Sequence, residues 1–99
     1  MKYTKEYGQE LEELIIKTSR NKTVLHEFLL DLLSPAEYKE LAVRWQIMMQ
    51  LEQGVSHREI AKNLMVGVGT ITRGSRELAN KKGGFRIVLD KYFPSLKKK

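Results

Sequence analysis

Apolar residues recur at helical spacing in several separate segments of the chain. Over residues 3–17, aromatic and aliphatic residues appear every three or four positions between Glu and Lys, which predicts an amphipathic helix. Residues 19–22 interrupt this pattern, and Thr23 is the predicted cap of a second helix whose broad apolar face reaches Leu33. No segment alternates apolar and polar residues as a half-buried strand does. The pattern therefore predicts an all-α fold.

A third helix is predicted to begin at a capping box. Ser34 and Glu37 have the spacing of this motif, and Pro35 occupies the first helical position, where proline is favoured. The helix should continue to about residue 53 and stop at Gly54. Its apolar residues surround most of its circumference: Leu41, Ala42, Val43, Trp45, Ile47, Met48, Met49 and Leu51. A surface helix shows one apolar stripe, so this helix needs cover on several sides. In a 99-residue helical chain, a second copy is the simplest source of that cover, and we expect a homodimer.

Residues 57–80 have the pattern of a helix-turn-helix. A second capping box at residues 56–59 starts a short helix with Ile60, Ala61 and Leu64 on one face. After a turn at residues 65–67, Val68 and Ile71 begin the apolar face of another helix, which should run to about residue 80. The small Ala61 permits close approach of the two helices. The second helix would offer Thr and Arg side chains and its N-terminal N–H groups to phosphates and base edges.

One position in the predicted turn departs from the usual motif. The residue that takes a left-handed backbone there is usually Gly, but this chain has Met65, with Gly67 two residues later. An ordinary helical hairpin with a basic surface is the alternative interpretation. A last amphipathic helix is predicted around Phe85 and Tyr92 and stopped by Pro94, with residues 95–99 as a loose basic tail. We expect one domain spanning residues 1–99.

Charge and composition narrow the classes of function. The chain has 18 Lys and Arg against 12 Asp and Glu, a net charge of +6 and an isoelectric point near 9.7, which favours a polyanionic partner. It has no Cys, and His26 and His57 lack metal-ligand spacing, so no metal site is expected. No nucleophile, base and acid set suggests an enzyme. Without a signal peptide or a span of about 20 apolar residues, we expect a cytoplasmic protein with no membrane contact.

Two segments on either side of Arg44 resemble the tryptophan repressor family. They are Leu-Ser-Pro-Ala-Glu at residues 33–37 and Thr-Ile-Thr-Arg-Gly-Ser at residues 70–75. The resemblance covers about residues 32–78 and is strongest at 67–75. It implies a six-helix, intertwined homodimer that binds operator DNA as a transcriptional repressor. It also implies L-tryptophan as corepressor, a small-molecule amino acid ligand that links its own binding to DNA binding, with no other cofactor.

The resemblance also implies roles for individual residues. The residues matching the family's ligand site are Leu33, Ser34, Arg44, Thr70, Arg73, Gly74 and Glu77. The residues matching its DNA contacts are Arg58, Gly67, Val68, Gly69, Thr70 and Thr72. Lys62 is a further phosphate candidate that rests on its position beside these residues and has no family match.

Three departures from the family pattern bear on the ligand. Glu77 stands where the best-known members have Ser, Trp45 replaces a small aliphatic residue, and the corner at residues 54–56 is one residue shorter. Glu77 can receive a ligand's ammonium or pair with Arg73, and Trp45 can narrow the pocket. Arg44 is either a ligand residue or a surface arginine whose stem lies on apolar neighbours. The alternatives to a tryptophan-responsive repressor are a repressor-fold DNA binder without that response and a basic helical module that binds RNA or an acidic protein.

Overall fold

A computed structural model describes residues 1–96, which form six α-helices and no strand. The helices are α1 (Lys5–Thr18), α2 (Lys22–Leu32), α3 (Pro35–Glu52), α4 (His57–Leu64), α5 (Val68–Leu78) and α6 (Gly84–Tyr92). This confirms the predicted all-α class and the number of helices. The chain divides into two compact units, Met1–Lys39 and Glu40–Lys99, which are described in turn.

Short polar side chains begin both helices of the first unit. The Tyr7 N–H donates to Thr4 Oγ1 at 3.4 Å, so α1 begins after Thr4 and not at Tyr3. The Val24 N–H donates to Asn21 Oδ1 at 3.1 Å, which makes Asn21 the cap of α2. The predicted Thr23 cap is therefore wrong. Asn21 has the extended backbone of a capping residue, whereas Thr23 already lies in the first turn.

Neither α1 nor α2 contains a buried residue. Large apolar side chains are exposed along both helices and the segment before α1. They are Tyr3, Tyr7, Leu11, Leu14, Ile16, Val24, Leu30 and Leu32. Inside the first unit, the His26 ring meets the edge of Tyr38 at a centroid distance of 6.2 Å. The helices of this unit are thus amphipathic, as predicted, but their apolar faces stay largely exposed in one copy.

The predicted capping box at the start of α3 is confirmed. The Ser34 N–H donates to Glu37 Oε1 at 2.8 Å, and the Glu37 N–H donates to Ser34 Oγ at 3.2 Å. The backbone hydrogen bond from Ser34, with a smaller contribution from its side chain, lowers the pKa of Glu37.

The second unit encloses an apolar core. Met48 of α3, Ile60 of α4, Ile71 of α5 and Leu89 of α6 are its largest fully buried side chains. In α3 itself, burial is confined to the C-terminal half, at Ile47, Met48 and Glu52. The helix ends as predicted before Gly54, which has a positive φ of 81°, and the Val55 N–H donates to Gln50 O at 3.0 Å. This left-handed stop turns the chain toward α4.

Aromatic stacking and a long-range ion pair join α6 to α3. The Trp45 ring lies 6.4 Å from the Phe85 ring and 5.7 Å from the Phe93 ring, between centroids. Arg86 binds both carboxylate oxygens of the buried Glu52, with Nη1 to Oε1 at 3.1 Å, and its Nε donates to Asp90 at 3.0 Å. The hydrogen bonds to Glu52 raise the pKa of Arg86 above its ordinary value. These contacts fix α6 along the second half of α3.

The chain after α6 differs in part from the predicted loose tail. The helix ends at Tyr92, before Pro94, as predicted. The Leu96 N–H donates to Phe93 O at 3.2 Å across residues 94 and 95, so the predicted tail begins in a turn. Residues 97–99 of the predicted tail lie outside the described residues.

Candidate nucleic-acid interface

The helices α4 and α5 form the helix-turn-helix predicted from the sequence. The Glu59 N–H donates to Ser56 Oγ at 3.2 Å and begins α4, and three residues separate its end from the start of α5. Ile60 and Ile71 are completely buried between the helices and α3. Burial of these two side chains fixes the crossing of the pair. The second helix ends at Leu78, two residues earlier than predicted.

Met65 makes the turn that glycine usually makes. Its φ of 54° and ψ of 47° are left-handed, and it has the only positive φ among the non-glycine residues of the described range 1–96. The Val66 N–H donates to Ala61 O at 3.1 Å, which is the long hydrogen bond of a Schellman motif. Val66 packs on the core, while the Met65 side chain is 92% exposed. The motif therefore keeps its usual geometry with an unusual residue.

The N-terminus of α5 presents an open surface. Gly67 is its N-cap, and no side chain in residues 1–96 caps this end. A Cβ atom added at Gly67 or Gly69 would meet nothing within 4 Å. Between them, Val68 is 51% exposed. Helix N-terminal N–H groups attract phosphates, and the missing side chains at both glycines allow close approach of a large partner.

The other predicted DNA-binding side chains lie on the same two helices. Arg58, Lys62 and Thr70 are exposed. Thr72 is half-buried, and its hydroxyl donates to Val68 O at 3.2 Å. That bond leaves the lone pairs of the hydroxyl oxygen as its remaining hydrogen-bonding capacity. A further bond from Asn63 Nδ2 to Gln50 Oε1, at 3.0 Å, ties α4 to α3 and holds this surface in place.

The charged residues predicted to bind a ligand are exposed. Arg44 lies near Glu40, one turn earlier in α3, with 3.6 Å between Nη2 and Oε1. Arg73 and Glu77 are both exposed on α5, and no salt bridge joins them in the described part of the chain. The alternative in which Glu77 pairs with Arg73 is therefore not observed. Their role toward a ligand stays a prediction.

Gly74 is buried where α5 crosses α3. A Cβ atom there would lie 2.9 Å from Met48 Cε and 3.2 Å from Ile47 Cγ2, closer than side chains normally approach. Glycine at this position thus allows α5 to pack directly on α3. Of the remaining ligand candidates, Thr70 is exposed on α5, whereas Leu33 and Ser34 belong to the first unit, where Leu33 is half-buried and Ser34 caps α3.

Two features of the second unit are absent from the sequence prediction. No local sequence pattern predicts the ion pair between Glu52 and Arg86. The spacing of four residues predicts only the contact of Arg86 with Asp90. Trp45 packs on Phe85 and Phe93, and its narrowing of a ligand pocket stays a prediction. With Gly84, Phe85 and Val88 it lines an open apolar depression of about 440 Å³.

Comparison with known proteins identifies the family. The family model described as Trp repressor protein matches residues 9–92. This chain belongs to the Trp repressor family. The resemblance drawn from the sequence is confirmed, and the Trp repressor family consists of regulators and not of enzymes.

Several relatives named Trp operon repressor homolog match most of the chain. The relative from Vibrio campbellii is 43% identical over 75 residues, which are 74% of this chain and 73% of the relative. The relative from Vibrio vulnificus is 35% identical over 92 residues, covering 91% and 88%. The relative from Actinobacillus succinogenes is 41% identical over 64 residues, covering 64% and 63%. No solved structure matches at comparable significance. None of the helices between residues 1 and 96 has the length and apolar character needed to cross a membrane.

Proposed function

We propose that this chain is a transcriptional repressor that binds specific DNA sequences as a homodimer. The observation that carries the proposal is the open N-terminus of α5, in the same helix pair as the exposed Arg58 and Lys62 of α4. Helix-turn-helix proteins, of which the tryptophan repressor is a standard example, insert such a second helix into the major groove. In this chain the glycines would let the backbone approach DNA, and the two cations would contact phosphates and a base edge.

The distribution of charge supports a polyanionic partner for the second unit. Residues 40–99 have twelve Lys and Arg against five Asp and Glu, whereas residues 1–39 have six against seven. The excess of positive charge thus belongs to the part of the chain that contains the helix-turn-helix. Release of counterions from DNA would make binding weaken steeply as salt rises.

The exposed apolar faces of α1 and α2 support a homodimer. No residue of either helix is fully buried in one copy, and a second copy would remove these faces from water. Two copies would carry two reading helices, which suits palindromic half-sites about one helical turn apart. We propose that residues 1–99 act as one domain in such a dimer.

We further propose L-tryptophan as the corepressor. The support is the family membership, together with the exposure of Arg44, Thr70 and Arg73. The planar guanidinium groups of Arg44 and Arg73 suit stacking on an indole ring, and one of them would also bind the carboxylate. Exposed Glu77 would then receive the ammonium group. A DNA binder without tryptophan response is the second candidate, favoured by the replacement of Ser by Glu77.

The DNA proposal is tested by selecting binding sites from random duplex DNA. We expect enrichment of a palindromic site, with specific affinity that exceeds binding to scrambled duplex. Arg58→Ala should cost about 1–3 kcal/mol of binding free energy and relax preference at one base position. Arg20→Ala, which removes an exposed arginine from the first unit, is the matched control. Equal binding to all duplexes, or stronger binding to RNA, would support the basic module instead.

The corepressor proposal is tested by calorimetric titration with L-tryptophan and by DNA titration at fixed salt with and without it. We expect saturable heat and a higher DNA affinity in the presence of ligand. Arg73→Ala should remove both effects without unfolding the chain. Absence of heat in folded protein that still binds its selected site would favour the candidate without tryptophan response.

A further inference from the structure

Two apolar side chains are exposed around the turn and the N-terminus of α5, where they contribute little to the core. Met65 is 92% exposed in the turn, and Val68 is 51% exposed at the first position of α5, on either side of Gly67. We call Met65 and Val68 the apolar pair. Arg58 and Lys62 are four residues apart on α4, and Met65 directly follows the end of that helix. The apolar pair therefore adjoins the residues proposed to meet DNA.

Met65 adopts an unfavourable conformation without contributing its side chain to the core. A left-handed backbone is strained for a residue with a Cβ atom and unstrained for glycine. The hydrogen bond that closes the turn comes from Val66, and the buried contact of the turn is also made by Val66. Neither needs the Met65 side chain. Backbone strain clusters at functional sites, so the strained Met65 with its exposed apolar side chain points to a contact made outside the folded chain.

The surroundings of the apolar pair indicate what the contacted molecule is. Exposed Arg58 and Lys62 and the uncapped N-terminus of α5 favour an anion over the apolar surface of another protein. In the major groove of DNA, the 5-methyl group of thymine is the apolar feature of the base edges. The open space at Gly67 and Gly69 lets the backbone approach closely enough for the short Val68 side chain to reach such a group.

We propose that the apolar pair reads thymine 5-methyl groups and so sets base preference in each half-site. The inference rests on the proposed function, since it requires that α5 enters the major groove. It assigns Met65 a role in specificity. It also predicts that each selected half-site has thymine at one or two fixed positions. Removing a contacted methyl should weaken binding about fourfold, which corresponds to the burial of one such group.

The test is a scan of the selected duplex in which each thymine is replaced singly by deoxyuridine. Uracil lacks the methyl group but keeps every hydrogen-bonding group of thymine, so only the apolar contact changes. Affinities are measured for the unmodified full chain and for Met65→Gly, Val68→Ala and Met65→Leu. The control is Ile87→Ala, which truncates a 57% exposed side chain on α6. Thermal unfolding of each variant is recorded alongside.

We expect a loss of about fourfold at one or two deoxyuridine positions with the unmodified chain. Met65→Gly should bind the parent duplex more weakly, and deoxyuridine at the thymine contacted by Met65 should cause no further loss of its affinity. Its melting temperature should be unchanged or higher, because glycine relieves the strain of the turn. Val68→Ala should behave in the same way at its own position. Met65→Leu should keep the methyl preference, and Ile87→Ala should match the unmodified chain.

Two results would overturn the inference. A flat deoxyuridine scan on a duplex that is bound specifically would overturn it alone. So would an equal loss of affinity in Met65→Gly for every duplex, because that pattern belongs to a contact with the sugar-phosphate backbone. If no duplex is enriched, the proposed function and the inference both fail.

Discussion

The two units of the chain differ in how they use their apolar residues. The second unit completes its own core, with Met48, Ile60, Ile71 and Leu89 fully buried. The first unit also has amphipathic helices, but no residue of α1 or α2 is fully buried. The two units differ in charge as well, since the excess of Lys and Arg lies in residues 40–99. The second unit, which contains the helix-turn-helix, thus has a closed core of its own, whereas the apolar faces of the first unit stay exposed in one copy.

This difference fits the separate roles proposed for the two units. A core that closes within one copy can hold α4 and α5 rigidly, as a reading surface requires. Exposed apolar faces on two helices are unfavourable in water and favour association.

The largest effect is expected from Ile71→Ala in the core of the second unit. Ile71 has no exposed surface, and the truncation removes buried area and leaves a cavity, which should lower the free energy of unfolding by about 4 kcal/mol. Urea unfolding measures the change. Ile87→Ala should shift it by less than about 0.5 kcal/mol, because that side chain is exposed. Similar losses for both variants would mean that the described core is not the stabilising one.

The ion pair between α3 and α6 should give the next effect. Arg86→Met leaves the buried Glu52 carboxylate without its partner and should cost about 2–3 kcal/mol in unfolding free energy. Combining it with Glu52→Leu should restore most of the loss, since no unpaired charge then remains. Asp90→Asn, which keeps the Glu52 contact, is the control. A double variant less stable than Arg86→Met would show that the unpaired Glu52 carboxylate is not the cause of the loss.

A smaller effect is expected from Ile16→Asp in the first unit. Ile16 is 64% exposed in one copy, so the substitution should leave the second unit folded. If a second copy covers this face, the dimer dissociation constant should rise about tenfold, or ~1.4 kcal/mol. Sedimentation across a concentration series measures it, with Gln9→Asp, which makes the same change of charge at an exposed polar position of α1, as the control. A variant that sediments like the unmodified chain would place the association surface elsewhere.

The smallest effect is the pH dependence of the α3 cap. The pKa of Glu37 is lowered below its ordinary value of 4.5, so its contribution to stability is complete above pH 4.5 and is lost as pH falls below that value through the lowered pKa. The stability difference between the unmodified chain and Glu37→Ala should therefore shrink on acidification. Glu37→Gln, which keeps a capping oxygen without titrating, serves as the control. A difference that persists well below pH 4.5 would contradict the hydrogen bond as its source.

Local chemistry accounts for what the sequence could predict. The starts of α3 and α4 at Ser34 and Ser56, and the stop at Gly54, depend on residues within one turn of each other. Asn21 and Thr23 show the limit of such signals. Both residue types can cap a helix, and the sequence alone does not distinguish two candidates only two residues apart.

Contacts between distant residues account for what could not be predicted. Glu52 and Arg86 are 34 residues apart, and the sequence around either residue does not predict that they pair. Gly74 is visible as a glycine in a helix, but its packing role follows only from the crossing of α5 over α3. Within the candidate site, the positions of Arg58, Lys62 and Gly67 follow from helix periodicity, whereas the exposure of Met65 requires the folded turn.

The most direct test of this account is the mass of the complex with a selected duplex, measured by sedimentation together with its affinity relative to scrambled DNA. The account predicts two chains on one palindromic site and a specific affinity that exceeds scrambled binding, since one unit reads DNA and the other joins two copies. A complex with a single chain, or equal affinity for both duplexes, would contradict it.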